Sequence, residues 1–358
     1  IGANISGSST LTIAPKTATT TIGLGTLATG DLHLNDTELG RLTNGFSSIT
    51  FGSATATGKI TAAEYTYLDN IKLLNYGASS GGIEFIAPVS VGSNNLTLYT
   101  TGSVTQVSGA PITAAGLELL GTGGTYTLTN TSNAITTLAG NTGTVSFLEN
   151  SGFAIGTVGS TNGVTATTLT LSSAGTVTQS QALTLTNLEL LGSGGIYTLT
   201  NTGNAITTLA GNTGTVSFLE NSGFAIGTVN TVGLTTTGNI TLSSTGTVTQ
   251  SQKVAAVGLE LLGANGIYTL TNTGNAIATL AGSTGTVSFL DNGGFDIGTV
   301  NTVGLTTSGN TTLSSTGTVT QSNLIAAAGV ELLGSGGAYS LTNTSNAITT
   351  LAGNTGTI

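Results

Sequence analysis

The stretch ITTLAGNTGTVSFLENSGFAIGTV, Ile135 to Val158, recurs letter for letter from Ile206 to Val229, and returns as IATLAGSTGTVSFLDNGGFDIGTV from Ile277 to Val300. The anchor LELLG keeps the same interval: it begins at Leu117, Leu188 and Leu259 and reappears as VELLG at Val330, a constant period of 71. Such constancy over a chain of 358 residues points to a stack of similar units, in which a slip in one copy would disturb the register of everything above it.

Inside a copy, short apolar pairs alternate with polar residues: Leu117/Leu119, Tyr126/Leu128, Val145/Phe147, Phe153/Ile155 and Leu169/Leu171. Period two is the mark of a strand with one buried face. Between the pairs lie GTGG, GNTG, NSG and SSAG, which supply positive φ angles and side-chain-to-backbone turn bonds. Two or three such strands make a coil of roughly 18 to 24 residues, so each copy holds three or four coils about 4.8 Å apart. The expectation is an all-β fold, a parallel β-helix or β-solenoid, extending on the order of 70 to 95 Å. Sustained helical periodicity is nearly absent, and residues 56–76, ATGKITAAEYTYLDNIKLLNY, are the one segment expected to hold a short helix.

Two regions are expected. Residues 94–358 carry the regular repeats, in copies starting at 117, 188, 259 and 330, the last incomplete; residues 1–93 read as divergent coils of the same architecture. With no polar cap visible at either end, and no leader at Ile1, the expectation is a window on a longer array.

Composition narrows function. Charged residues make up 5% of the chain, and 14 acids face 5 bases for a net charge of −9. From Leu117 onward Lys253 is the only base, so a nucleic-acid partner and an anionic membrane surface are both excluded as expectations. No apolar run reaches the roughly 18 to 20 residues of a membrane span. Cys is absent, which removes disulfides and thiolate metal sites.

The acids are the remaining route to chemistry. Glu118, Glu189, Glu260 and Glu331 occupy equivalent positions; on one ladder, three or four coils apart, they would stand roughly 14 to 19 Å from each other. Glycosidase carboxylates work at about 5 to 9.5 Å, so these form no catalytic pair, and both they and the series Glu149, Glu220 and Asp291 are expected to be solvated turn or edge acids. Asp291 and Asp296 suggest at most an isolated cation site, short of the six to eight oxygens calcium takes. His33 is the lone histidine, and Lys16 and Arg41 are expected to pair at the surface with Asp36 or Glu38. No catalytic, cofactor-binding or metal-binding residue is therefore assigned, and no cofactor. The Thr-x-Thr strings at Thr127, Thr198 and Thr269, and at Thr176, Thr247 and Thr318, recur once per copy rather than once per coil. A continuous threonine grid of the ice-binding kind is not expected from them.

The segments SSTGTVTQSQKVAAVGLELLG, YTLTNTGNAI, LAGNTGTVSF and IGTVNTVGLTTTGN, with LNDTELGRLTNGFSSITFG near the start, resemble in combination and order the β-strand repeats of filamentous-haemagglutinin-like exoproteins. That resemblance implies a right-handed parallel β-helix, exported through an outer-membrane transporter by the two-partner (type V) route and displayed extracellularly at the bacterial surface. It implies an adhesin shaft whose partners are a host or neighbouring-cell surface, glycans or matrix, with no enzymatic activity. The alternative expectation is a structural subunit of an extracellular filament or sheath, formed by self-association; a polysaccharide-active enzyme or an ice-binding protein ranks below both.

Overall fold

Buried residues alternate with exposed ones along almost every extended segment, and the alternation locks one coil onto the next. The computed structural model describes residues 1–77 and 81–358, and these fall into two compact units, Ile1–Leu185 and Thr186–Ile358. Each is an all-β solenoid of stacked parallel strands.

In Ile1–Leu185 one aliphatic file runs from coil to coil. Leu11 pairs with Ile49, Ile49 with Ile71, Ile71 with Leu96, Leu96 with Leu117 and Leu117 with Leu138. From Ile49 upward every member is essentially inaccessible to water. Each fully buried Leu or Ile contributes roughly 1.5–3 kcal/mol, so the file is a main source of cohesion.

The unit Thr186–Ile358 repeats the scheme. Tyr197 pairs with Val216, Val216 with Ile240, Ile240 with Leu259 and Leu259 with Leu280. The coils differ in length: contacts between successive coils join partners separated in sequence by 19 at Thr241 and Glu260, by 21 at Gly263 and Thr284, and by 24 at Asn221 and Thr245. The repeat is therefore not a whole number of coils. Stacked side chains are alike in kind but come from different segments of the repeat. The consequence is a phase shift: Glu260 stands above Thr241, Ser217 and Thr198, and Glu331 above Thr312, Ser288 and Thr269. The LELLG strand of one copy thus rises over the YTL strand of the copy before it. Within this unit Glu189 has Ala210 above it, so it shares no ladder with Glu260, contrary to the expected single file of acids.

Long strands such as Val254–Leu270 and Ala276–Leu290 turn a corner without breaking the ladder, through a register shift between Gly263 and Ile267. Gly263 sits at φ +116, and a Cβ there would lie 2.1 Å from the Ser244 carbonyl oxygen, so only glycine fits. Thr284 Oγ1 donates across the bend to the carbonyls of Gly263 and Gly266, at 3.0 and 3.2 Å.

The expected helix over 56–76 is not there. That segment forms the strands Ile60–Ala62, Tyr65–Thr66 and Ile71–Asn75, because Ile60 and Ile71 each extend an apolar file from coil to coil. The helical turn among the described residues is Asp36–Leu39, closed by a capping box: Asn35 Oδ1 accepts from the Glu38 N–H while Glu38 accepts from the Asn35 N–H.

Candidate functional site

A residue between two inward leucines must point outward, and Glu260, between Leu259 and Leu261, does so. Yet Glu118, Glu189 and Glu260 are only 6%, 0% and 1% exposed. The expectation of solvated acids is wrong for all three, because each is covered by a short antiparallel hairpin laid across the outer face of its strand.

These straps comprise Thr157–Val158 paired with Thr161–Asn162, and the turns closed by the bridges Thr228 to Val232 and Thr299 to Val303. Their valines set the approach: a Cβ on Gly116 would lie 2.7 Å from Val158 Cγ1, and one on Gly258 would lie 2.8 Å from Val300 Cγ2. In the first and third copies the glycine before the Leu-Glu pair thus makes the seat for the strap, whereas in the second copy Asn187 stands at that position.

The tips then bind the carboxylates. Glu189 Oε1 accepts from the N–H groups of Asn230 and Thr231 at 3.1 and 2.6 Å and from Thr231 Oγ1 at 2.6 Å, while Asn230 Nδ2 donates to Oε2 at 2.7 Å. Glu260 Oε1 accepts from the Thr302 N–H at 2.6 Å; its Oε2 takes Asn301 Nδ2 at 2.7 Å and Thr241 Oγ1 at 2.8 Å. In the first copy Thr97 and Thr161 hydroxyls hold Glu118 at 2.7 and 2.6 Å. Burial by itself would raise the Glu260 carboxyl above the ordinary range, but the bonds from Asn301, Thr302 and Thr241 outweigh it and hold the group below that range. Glu331 is the exception: it is exposed, in a groove of about 410 Å³, and takes Thr312 Oγ1 at 3.2 Å.

The second acid series is buried as well, at 1%, 0% and 1% exposure for Glu149, Glu220 and Asp291. Glu149 folds onto its own turn, accepting from Ser151 N–H and Oγ and from the Gly152 N–H, and Glu220 does the same with Ser222 and Gly223. In the third copy NSG becomes NGG and the acid shortens to Asp291, which accepts from the Gly293 and Ile277 N–H groups, both at 2.7 Å. Turn amides that would otherwise lack partners are what these acids satisfy. The neighbouring Asp296 takes the Thr320 and Ser322 hydroxyls at 2.7 and 2.6 Å, so the two aspartates serve separate partner sets.

Elsewhere, His33 Nε2 lies 3.0 Å from the Gly25 carbonyl oxygen. Asp36 caps the Thr26 N–H, and the ion pairs among the described residues join Glu38 to the Ile1 amino group and Lys59 to Glu84, rather than engaging Lys16 or Arg41. No group of three or more His, Cys, Asp or Glu is placed to hold a metal among the described residues, and none of their helices is long and apolar enough to cross a membrane.

The threonine strings behave differently from expectation. Strings of different spelling come into register: Ser103, Thr125, Thr144 and Thr168 form one file and Thr105, Thr127, Ser146 and Thr170 the adjacent one. The result is a hydroxyl block two files wide and four coils tall, outward over its first three rows, with Thr170 buried. Recurrence once per copy hid this, since SVT, TYT, TVS and TLT are spelled differently but occupy the same file.

Comparison with known proteins finds no matching family model, no matching curated protein and no matching solved structure.

Proposed function

We propose that this chain is part of a non-catalytic adhesin shaft, exported across the outer membrane and displayed outside a bacterial cell, where it gives reach and repeated weak contacts. The observation that carries the reading is the conversion of nearly every acid that recurs with the repeat into a structural group. Six of the acids that recur with the repeat are buried and hydrogen-bonded to turns or straps, which leaves a surface of hydroxyls and amides with little charge. Such a surface suits weak multivalent contact with glycans or matrix, and the resemblance to filamentous-haemagglutinin repeats points the same way. Beads carrying many copies of the chain should adhere to glycan-coated or cell surfaces with an avidity on the order of 10² to 10⁴ above the free chain. Adhesion no better than that of blank beads would sink the proposal.

The hydroxyl block favours a second reading. Rows about 4.8 Å apart, with alternate residues about 6.6 Å apart along each strand, present a regular uncharged lattice that could order water, as an ice-binding surface does. Thermal hysteresis that disappears in Thr127→Lys would support it; a chain with no thermal hysteresis removes it.

A further inference from the structure

We propose that the strap at residues 299–303 is an acid-released latch, held shut by the ionised carboxylate of Glu260 and freed when that carboxylate takes up a proton. Two groups of the strap tip and one of the strand beneath converge on this carboxylate. Asn301 Nδ2, the Thr302 N–H and Thr241 Oγ1 all donate to Glu260 at 2.6 to 2.8 Å, and the bridge from Thr299 to Val303 is the hairpin's own internal pairing. A hairpin this short is unstable by itself, so its position depends on the groups beneath it. Protonation changes one carboxyl oxygen from acceptor to donor in front of three donors and removes the charge that strengthens their bonds.

No cation shares the load. The strap carries no titratable side chain, and neither do the strands Ile240–Ser243 and Ala276–Leu290 that flank Glu260. On its own strand, Val254–Leu270, the other titratable group is Tyr268, whose buried hydroxyl donates to the carbonyls of Leu242 and Leu262. Asp296, on the segment leading into the strap, is occupied by Thr320 and Ser322. Lys253 lies beside Gly233 at the base of the strap over Glu189, but beside the corresponding Gly304 the residue is Leu324. Of the ionisable groups on these elements, Glu260 is the one the 299–303 strap answers to; its other ties, from Asn323 Nδ2 to Thr299 Oγ1 at 2.9 Å and from Asn301 Nδ2 to Thr241 Oγ1 at 3.2 Å, join neutral groups that no proton changes.

The direction of the response follows. Because the folded group titrates below its ordinary value of 4.5, the latch contributes fully above that value and is lost as pH falls through the lower folded one. The strap stays closed through mild acidification and opens in strong acid.

Hydrogen exchange of the full chain, read by mass spectrometry on peptides covering 296–304 and corrected for the intrinsic pH dependence, tests this directly. Strap protection should fall at least about tenfold between neutral and strongly acidic pH, while Val254–Leu270 and Ala276–Leu290 keep theirs. Glu260→Gln should be loose at neutral pH and lose the pH response. Asn301→Ala, at the exposed tip, removes one donor without touching the core and should loosen the strap partway. Protection that is the same at both pH values in the wild type, or a Glu260→Gln strap as protected as wild type, would overturn the proposal, as would loss of protection in the strap and its flanking strands together.

Discussion

Tyr268 illustrates how single residues fit the coil. Its ring is fully buried, and its hydroxyl donates to the Leu242 carbonyl at 2.9 Å on one coil and to the Leu262 carbonyl at 2.6 Å on its own strand. Tyr126 and Tyr339 make the equivalent pair of bonds. Burial raises the Tyr268 phenol far above its ordinary value, so the group stays neutral across any working pH. Tyr268→Phe keeps the packing and takes one donor from each carbonyl, the Leu262 carbonyl keeping the Ser244 N–H; a loss of about 1 kcal/mol, read as a lower urea midpoint, is expected. An unchanged midpoint would mean that water replaces the hydroxyl.

At the scale of the element, a buried asparagine fastens one corner in each of the first three copies, Asn133, Asn204 and Asn275. Asn275 Nδ2 donates to the carbonyls of Leu270 and Leu290 at 3.1 and 3.0 Å, and its Oδ1 accepts from the Val254 N–H at 2.8 Å and from Gln250. One amide thus joins Val254–Leu270 at both of its ends to the end of Ala276–Leu290. Asn133, with Gln106, builds the same corner in the other unit. Asn275→Leu, close in volume but unable to bond, strands a buried N–H and two carbonyls. It should cost about 3 kcal/mol or more and weaken exchange protection at both strand ends, whereas Asn272→Ala, at the exposed turn, should cost about 1 kcal/mol or less. Equal effects of the two would show that the corner is not held by Asn275. The edge-on pair Phe289 and Phe295, with centroids 5.2 Å apart, belongs to the same copy as this corner, and Phe218 and Phe224 repeat it.

For the molecule as a whole, the constant period makes a specific demand. Removing residues 206–276, one full period, joins Ala205 to Ile277 and restores the local reading Asn-Ala-Ile, so every coil would meet the neighbour types it meets now. The shortened chain should fold with a far-ultraviolet spectrum of unchanged shape and a thermal midpoint within a few degrees, as expected when stability is a sum over nearest neighbours. Removing residues 206–265 instead, from the same start but out of phase, joins Ala205 to Gly266 and brings mismatched segments together. Polar residues would then stand in apolar files, and an aggregating or unfolded chain is expected. If both deletions fold equally well, the register is not what organises the stack.

Much of this could be read directly from the residues. Alternation such as Val145/Phe147 requires one buried face, the constant period requires a stack, and near-absence of charge requires a surface of hydroxyls and amides; these are consequences of side-chain chemistry and the two-residue repeat of a strand. The helix-like composition of 56–76, by contrast, is overruled by the apolar files its isoleucines join. What the tertiary structure alone decided was which segment lies over which. Separations of 19, 21 and 24 between successive coils do not return the chain to phase after one period, so Glu260 lands on the threonine file and TVS lands on TYT. The strap at 299–303 likewise arrives over an acid from which its Asn301 is 41 residues distant in the chain. Linear spacing carries no record of these meetings, because the coil corners, each settled by local turns and bulges, set the phase between copies. That is why acids that read as solvated are buried, and why threonine strings that read as scattered form a block.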